Sequence, residues 1–302
     1  MPEDRRDPSV GYFNTGETGK RLLDYGDARL RDMDAMGMDM AVLSITTPAT
    51  QSLDAPEAVK LAREANDELA AAVARHPDRL QAFATLPTPD PAAAVDELQR
   101  AVLGLGLRGA MIHGRTGDKM LDHPDFAPIL DEAARLGTPV FIHPQMPPKA
   151  VRDIYYGGLP DELSLTLAGG VWGWHMETAI NALRLILSGT FERAPGLQII
   201  LGHWGEIIPL YLERVDVAPM ARYLPKSAAE YFREHFYIAP SGIWSWQMLT
   251  HALTEVSADR ILFAIDYPFV HPSTDPRGAS SNRRRSAPRT RRRSATSTPS
   301  GC

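Results

Sequence analysis

The stretch Gln198-Ile199-Ile200-Leu201-Gly202-His203-Trp204-Gly205-Glu206 ends an aliphatic, β-branched run on an ionisable side chain. Such a run is what a strand buried on both faces looks like. An imidazole at its exit can take up or release a proton near neutral pH. Glu206, three residues on, can accept a hydrogen bond from that ring and fix its tautomer. Parallel α/β folds place their chemistry at the exits of buried strands. A satisfied histidine in a strand–helix turn would look the same, so this stretch alone leaves both readings open. Three other apolar runs end in the same way. Thr138–Pro144 ends on His143, Arg260–Pro268 on Asp266, and Leu107–His113 on His113. If these strands are parallel in one barrel, their terminal side chains converge on one mouth.

The positioning elements follow from the alternation of apolar runs with helical periods. Strands are expected at Met40–Ile45, Leu80–Pro87, Leu107–His113, Thr138–His143, Gln198–His203, Phe236–Ala239 and Arg260–Asp266. Helices are expected from about Lys20 to Met36, Pro56 to Arg75, Ala92 to Leu103, Asp125 to Leu136, Val171 to Leu187, after Glu206, and near Ser245 to Glu255. Gly37, Gly137 and Gly189 stand where helix C-termini need left-handed backbone. The segment Pro144–Gly170, rich in Pro, Tyr and Gly, is expected to be a long loop over the mouth. Asn66 and Asp67 are expected on a solvated or interhelix side. Seven strands alternating with helices predict a (β/α) barrel.

With 302 residues, 33.2 kDa and 44% hydrophobic residues, the chain suits one barrel-sized domain. We expect coil at 1–18, the barrel at 19–272, and an Arg/Ser-rich tail at 273–302. Neither a membrane-spanning apolar run nor a signal-peptide pattern is present, and the single cysteine, Cys302, excludes an intramolecular disulfide framework and a Cys-based zinc site. A cytoplasmic protein is expected. Eight arginines and no acidic residue in 276–302 leave −13 for the rest of a chain whose formal charge is −5. So acidic a body excludes nucleic acid as its partner, and no membrane partner is expected.

Gly202-His203-Trp204-Gly205-Glu206, Phe141-Ile142-His143-Pro144 and Ile265-Asp266-Tyr267-Pro268-Phe269 occur with Glu177-Thr178-Ala179, Leu183-Arg184-Leu185 and Ser188-Gly189-Thr190-Phe191. In this order and spacing they closely resemble the metal-dependent decarboxylase branch of the amidohydrolase superfamily. That branch includes γ-resorcylate, 2,3-dihydroxybenzoate and aminocarboxymuconate semialdehyde decarboxylases. The resemblance runs from about Lys20 to Phe269. It implies an α/β fold, a (β/α)8 TIM barrel, and one divalent metal ion, zinc or manganese. It implies His143 and Asp266 as metal ligands, His203 and Asp266 in proton transfer, Glu206 as the carboxylate orienting His203, and Arg214 in substrate recognition. The implied partner is a small-molecule aryl acid, with the chain a homodimer or homotetramer. His113 has no counterpart and is expected to be structural or to line the pocket.

The chain departs from that pattern at both ends. The first strand of such proteins carries a Glu-x-His or His-x-His pair, whereas the first histidine here is His76. The barrel is therefore expected to lack the first strand, leaving two exposed edges, and the last helix. One choice of codons for residues 278–302, read two nucleotides out of frame, gives RVVESPPISPADKEKIGHLNAERL, which resembles that helix. A frameshifted tail is thus expected over a basic tail that binds nucleic acid or membrane, and a genomic sequence without such a frame contradicts it. The functional expectation is a metal-dependent, non-oxidative decarboxylase of hydroxybenzoate-type acids. A lactone or amide hydrolase on the same fold and an inactive truncated homologue are the alternatives.

Overall fold

The computed structural model describes residues 16–216 and 223–270. Short parallel strands carry the molecule, in the α/β pattern expected. β1 (Ala41–Leu43) pairs with β2 (Leu80–Ala82). β3 (Ala84–Thr85), β4 (Ala110–His113), β5 (Val140–His143), β6 (Ile199–Leu201) and β7 (Phe236–Ile238) follow one another in a second sheet. The register aligns Ala110 with Val140, Val140 with Ile199, and Ile199 with Phe236. Each strand is thus level with its neighbour, and their carboxyl ends share one rim.

The expected strand Leu80–Pro87 is two strands because its backbone changes partner at Phe83. The Phe83 amide donates to the Leu43 carbonyl at 2.9 Å, and the next amide, Ala84, donates to Gly109 at 2.8 Å. The run Arg260–Asp266 is a correction to the expected strand. Ile261 bridges Ile238 in parallel, and the Leu262 amide donates to the Ile238 carbonyl at 2.8 Å. Beyond that the segment forms no ladder, since only β7 lies beside it. Among the described residues no backbone ladder joins it to β1, so the barrel is not closed by hydrogen bonds. Met40 and Val42 at one edge are 48% and 49% exposed, and Phe263 at the other is 70% exposed. Those are the open edges the sequence predicts. A side-chain tie spans the two sides: the Tyr267 hydroxyl donates to Asp32 at 2.6 Å, beneath the Arg29 guanidinium.

Helices pack outside the strands. Ala55–Arg75 begins with Pro56 in its first turn, and Gly137 ends Ala127–Leu136 with φ 63°. The expected helix Lys20–Met36 is instead two, Gly16–Leu22 and Asp27–Ala35. Asp24 Oδ1 accepts from the Gly26 amide at 2.8 Å, a local side-chain turn that competes with helix. The first of these helices starts inside the segment expected as coil, whose residues 1–15 lie outside the described chain, as does the tail from 271. The expected loop Pro144–Gly170 contains two short helices, Lys149–Tyr155 and Asp161–Thr166, each entered from a proline, Pro148 and Pro160. No described helix is long and apolar enough to cross a membrane.

Of the two sides expected for Asn66 it takes the interhelix one and is fully buried. Its Nδ2 donates to the Thr85 carbonyl at 3.0 Å and to Glu97 at 2.7 Å, while its Oδ1 accepts from the Thr85 amide at 2.8 Å. One side chain thereby ties two helices to β3, which has only two residues of its own. Asn66→Leu leaves the buried Thr85 amide and carbonyl without partners. We expect unfolding free energy in urea to fall by about 3 kcal/mol, and a fall below about 1 kcal/mol contradicts this role.

Candidate metal and proton-transfer site

β6 delivers His203 to the rim, and the backbone then turns in an unusual way. His203, Trp204, Gly205, Glu206 and Ile207 all have positive φ, from 47° to 77°. Left-handed backbone costs a non-glycine residue roughly 1–2 kcal/mol, and here a β-branched isoleucine adopts it. Gly202 and Gly205 are the residues that admit this turn. A Cβ on Gly202 would lie 2.8 Å from Ser241 Oγ, and one on Gly205 would lie 2.9 Å from Ile238 Cγ2. The Trp204 amide donates to Ala239 and its indole to Ile243, both at 2.8 Å, which locks the turn onto the chain after β7.

The turn brings Glu206 back onto His203, with Oε1 2.8 Å from Nδ1. Its other oxygen, Oε2, lies 2.7 Å from Nδ1 of His175, from the first turn of helix Gly173–Leu187. The two imidazole rings are 4.4 Å apart at their centroids. Glu206 is fully buried, so its charge is compensated by these two rings. Burial raises the Glu206 carboxyl, but attraction to His203 and hydrogen bonds from both rings outweigh it and hold the group below its usual range. Burial opposes charge on His203 as well, and the Glu206 carboxylate with Asp266 reverses that and raises it above its ordinary value.

His143, at the end of β5, is half-buried, with its ring 6.4 Å from His203 and 5.0 Å from His113. Its Nδ1 donates to the Pro144 carbonyl at 2.8 Å, which leaves Nε2 with the lone pair. Burial first, then the charge on His203, brings His143 down to about 4. Asp266, also half-buried and at φ 61°, is raised by burial, although His203 and His175 draw it down. The four rim residues singled out from the runs do therefore meet. His113 is fully buried and held well below its usual range by burial and His143. Gln51 clasps it: Nε2 donates to the His113 carbonyl at 2.8 Å and Oε1 accepts from the His113 amide at 3.1 Å. Arg214 sits apart from these contacts, exposed on the short helix Leu212–Val215.

A group that could hold one divalent cation is present. His175, His203 and Glu206 offer ligand atoms within 4.8 Å of one another. His143 and Asp266 lie outside that group, yet both carry a free donor for a divalent ion, the His143 Nε2 lone pair and the Asp266 carboxylate. Sequence reasoning missed His175. Its partner Glu206 lies 31 residues away, and only the left-handed turn brings the two together. A cavity of about 800 Å³ lies among the segments that follow β3, β4 and β5, with Gln51 and Gln145 in its wall.

The Amidohydrolase family profile matches residues 14–290. A γ-resorcylate decarboxylase of Rhizobium radiobacter is 43% identical over 267 residues, spanning 84% of this chain and 80% of that protein. The crystal structure of a dihydroxybenzoic acid decarboxylase from a Polaromonas species, with bound manganese and 2-nitroresorcinol, superposes with a TM-score of 0.78 at 36% identity. That match covers 90% of this chain and 85% of the other. The 5-carboxyvanillate decarboxylase of Sphingomonas paucimobilis superposes with a TM-score of 0.79 at 35% identity, covering 88% of this chain and 77% of its own.

Glu206→Gln removes the charge that raises His203, leaving burial as the dominant influence. In side-chain NMR titration, we expect the His203 ring to titrate above its ordinary value in the unchanged chain and below it in the variant. By linkage, the stability from His203 is full below the unfolded histidine value and is lost as pH rises through the raised folded value. That decline should vanish in the variant, and an unshifted His203 titration contradicts the assignment.

Proposed function

From a chain that belongs to the amidohydrolase family, we propose a metal-dependent, non-oxidative decarboxylase of hydroxybenzoate-type aryl acids. The observation that carries this reading is the meeting of a Glu206-held His203 with Asp266 and His143 at one barrel rim. The identity to decarboxylases that act on such acids supports it.

His143, through Nε2, and Asp266 would hold one divalent ion, manganese or zinc, consistent with the manganese in the Polaromonas structure. When bound, the cation supplies Lewis acidity, polarising the carboxylate and ortho-hydroxyl of the aryl acid. The remaining work belongs to the side chains. Glu206 fixes the His203 ring and favours its protonated form. Without a bound cation, burial shifts the Asp266 carboxyl toward holding a proton. One proton passes from Asp266 or His203 to the ring carbon bearing the carboxylate. The bond from that carbon to the carboxylate breaks, carbon dioxide leaves, and the donor is reprotonated from solvent. Arg214, for which no ion pair is formed among the described residues, is proposed to recognise the substrate's negative charge.

We further propose that the chain acts as a homodimer or homotetramer in the cytoplasm, through the barrel domain at 19–272. Trp244 and Phe263, both exposed with rings 5.5 Å apart, support association, since exposed apolar surface marks contact sites.

The test is incubation of the full chain and manganese with carboxyl-labelled γ-resorcylate in heavy water. The expected products are labelled carbon dioxide and resorcinol carrying one deuterium at the former carboxyl position. Asp266→Asn and His203→Asn should each lower turnover about a hundredfold or more. Consumption of the acid without carbon dioxide release rejects the reading.

A further inference from the structure

The His113 ring has a lone pair that the proposed reaction leaves unused. The side chain is fully buried at the end of β4, and Gln51 fixes its tautomer. The Gln51 side-chain nitrogen donates to the His113 carbonyl at 2.8 Å, and its oxygen accepts from the His113 amide at 3.1 Å. The ring Nδ1 lies 3.3 Å from that same oxygen, so Nδ1 carries the proton. A neutral ring then keeps its lone pair on Nε2. The Ile45 carbonyl also approaches the ring, yet Nε2 is buried without a hydrogen-bond partner among the described residues. Leaving a buried acceptor unmet costs free energy that a bound group would recover. A histidine that served packing alone would have both nitrogens met.

His143, on the next strand, is arranged in the same way. The register pairs the two residues across β4 and β5, so both rings leave the same face of the sheet. Ala110, Ile112, Val140 and Ile142 take the opposite face, in the apolar core. His143 donates from Nδ1 to the Pro144 carbonyl, which leaves its own lone pair on Nε2. A histidine that binds a metal ion commonly gives its other N–H to an oxygen in this manner. The two ring centroids are 5.0 Å apart. Two imidazoles bound to one cation at about 2.0–2.1 Å, with a near-tetrahedral angle between them, have centroids about 5 Å apart. The two strand exits are fixed as well. The Arg115 amide donates to the Gln145 side-chain oxygen at 3.2 Å, and Asn181 donates to the Gly114 carbonyl at 2.7 Å.

We propose that His113 is a ligand of the cation, bound through Nε2 beside His143, with Asp266 as the third protein donor. His143 and Asp266 alone would give the ion fewer protein donors than the three usual at catalytic zinc. His113 makes up the number. The inference rests on the reading that one cation sits at the rim, and it adds a donor which that reading does not contain.

The test is nitrogen NMR of the full chain, labelled with heavy nitrogen in histidine and loaded with spin-active cadmium as a stand-in for zinc. The cadmium nucleus splits the signal of each nitrogen bonded to it. Splitting of Nε2 in both His113 and His143 is the expected result. In competition with a chelator, His113→Phe should weaken zinc binding by about a hundredfold or more, above the range for a residue that only supports a ligand. That variant keeps a ring and the two backbone bonds to Gln51. His76→Gln, before β2 at the opposite end of the strands, should leave zinc binding unchanged. Splitting at His143 without His113, or unchanged zinc affinity in His113→Phe, overturns the proposal and leaves the one-cation reading standing. Splitting at His175 and His203 instead, or a chain that takes up neither metal, overturns both. All readouts are taken without substrate. A chain that shows both splittings but releases no carbon dioxide loses the decarboxylase reading and keeps the ligand.

Discussion

The buried carboxylate of Glu206 is the constraint on which the rim depends. A lone buried charge is very costly, and two imidazoles facing it from different elements make it tolerable. One of them, His203, is reached only through five successive left-handed residues. The other, His175, comes from the helix that follows the long segment after β5. The strain of the turn and the cost of the buried charge are therefore met by the same contacts. Removing the carboxylate would leave the strained turn held only by the bonds of Trp204 to Ala239 and Ile243. Removing either glycine would close the space into which the loop folds.

From that pair the electrostatics of the rim follow. His203, drawn toward its protonated form by the carboxylate, disfavours charge on its neighbours, and burial does the same. His143 and His113 are accordingly both held neutral, which suits a ring that offers a lone pair. Asp266 feels burial more than it feels the histidines and is shifted toward holding a proton. Three kinds of group thus stand on one rim: an imidazole shifted toward its protonated form, imidazoles shifted away from it, and a carboxyl raised by burial. Separating such groups by environment is how a single site divides acid from ligand roles.

Much of this was legible in the chain. His143, His203 and Asp266 each end an apolar run, and run endings are local features. Gly202 and Gly205 mark the turn, and Gly137 and Pro56 mark helix ends, because each reflects the backbone of its own residue. What escaped is non-local. The pairing of His175 with Glu206 depends on a turn whose left-handed course no periodicity shows. The break at Phe83 arises because that backbone exchanges one neighbour for another. The run before Asp266 has strand composition but only one strand beside it, and composition cannot count neighbours. Lys149–Tyr155 and Asp161–Thr166 are too short for a helical period to stand out from a proline-rich stretch. For Asn66 the sequence left a solvated and an interhelix side open, because its partners Thr85 and Glu97 lie on other elements.

The position of the cation decides the account. Crystals of the full chain grown with manganese, measured near the manganese absorption edge, show where the metal scatters. One anomalous peak bonded to His143 and Asp266, with the His203–Glu206 contact intact, is the predicted result. A peak enclosed by His175, His203 and Glu206 would mean that the carboxylate bracket is itself the metal site, and that His203 is a ligand and no proton donor. That result, or the absence of any peak at the rim, contradicts the account.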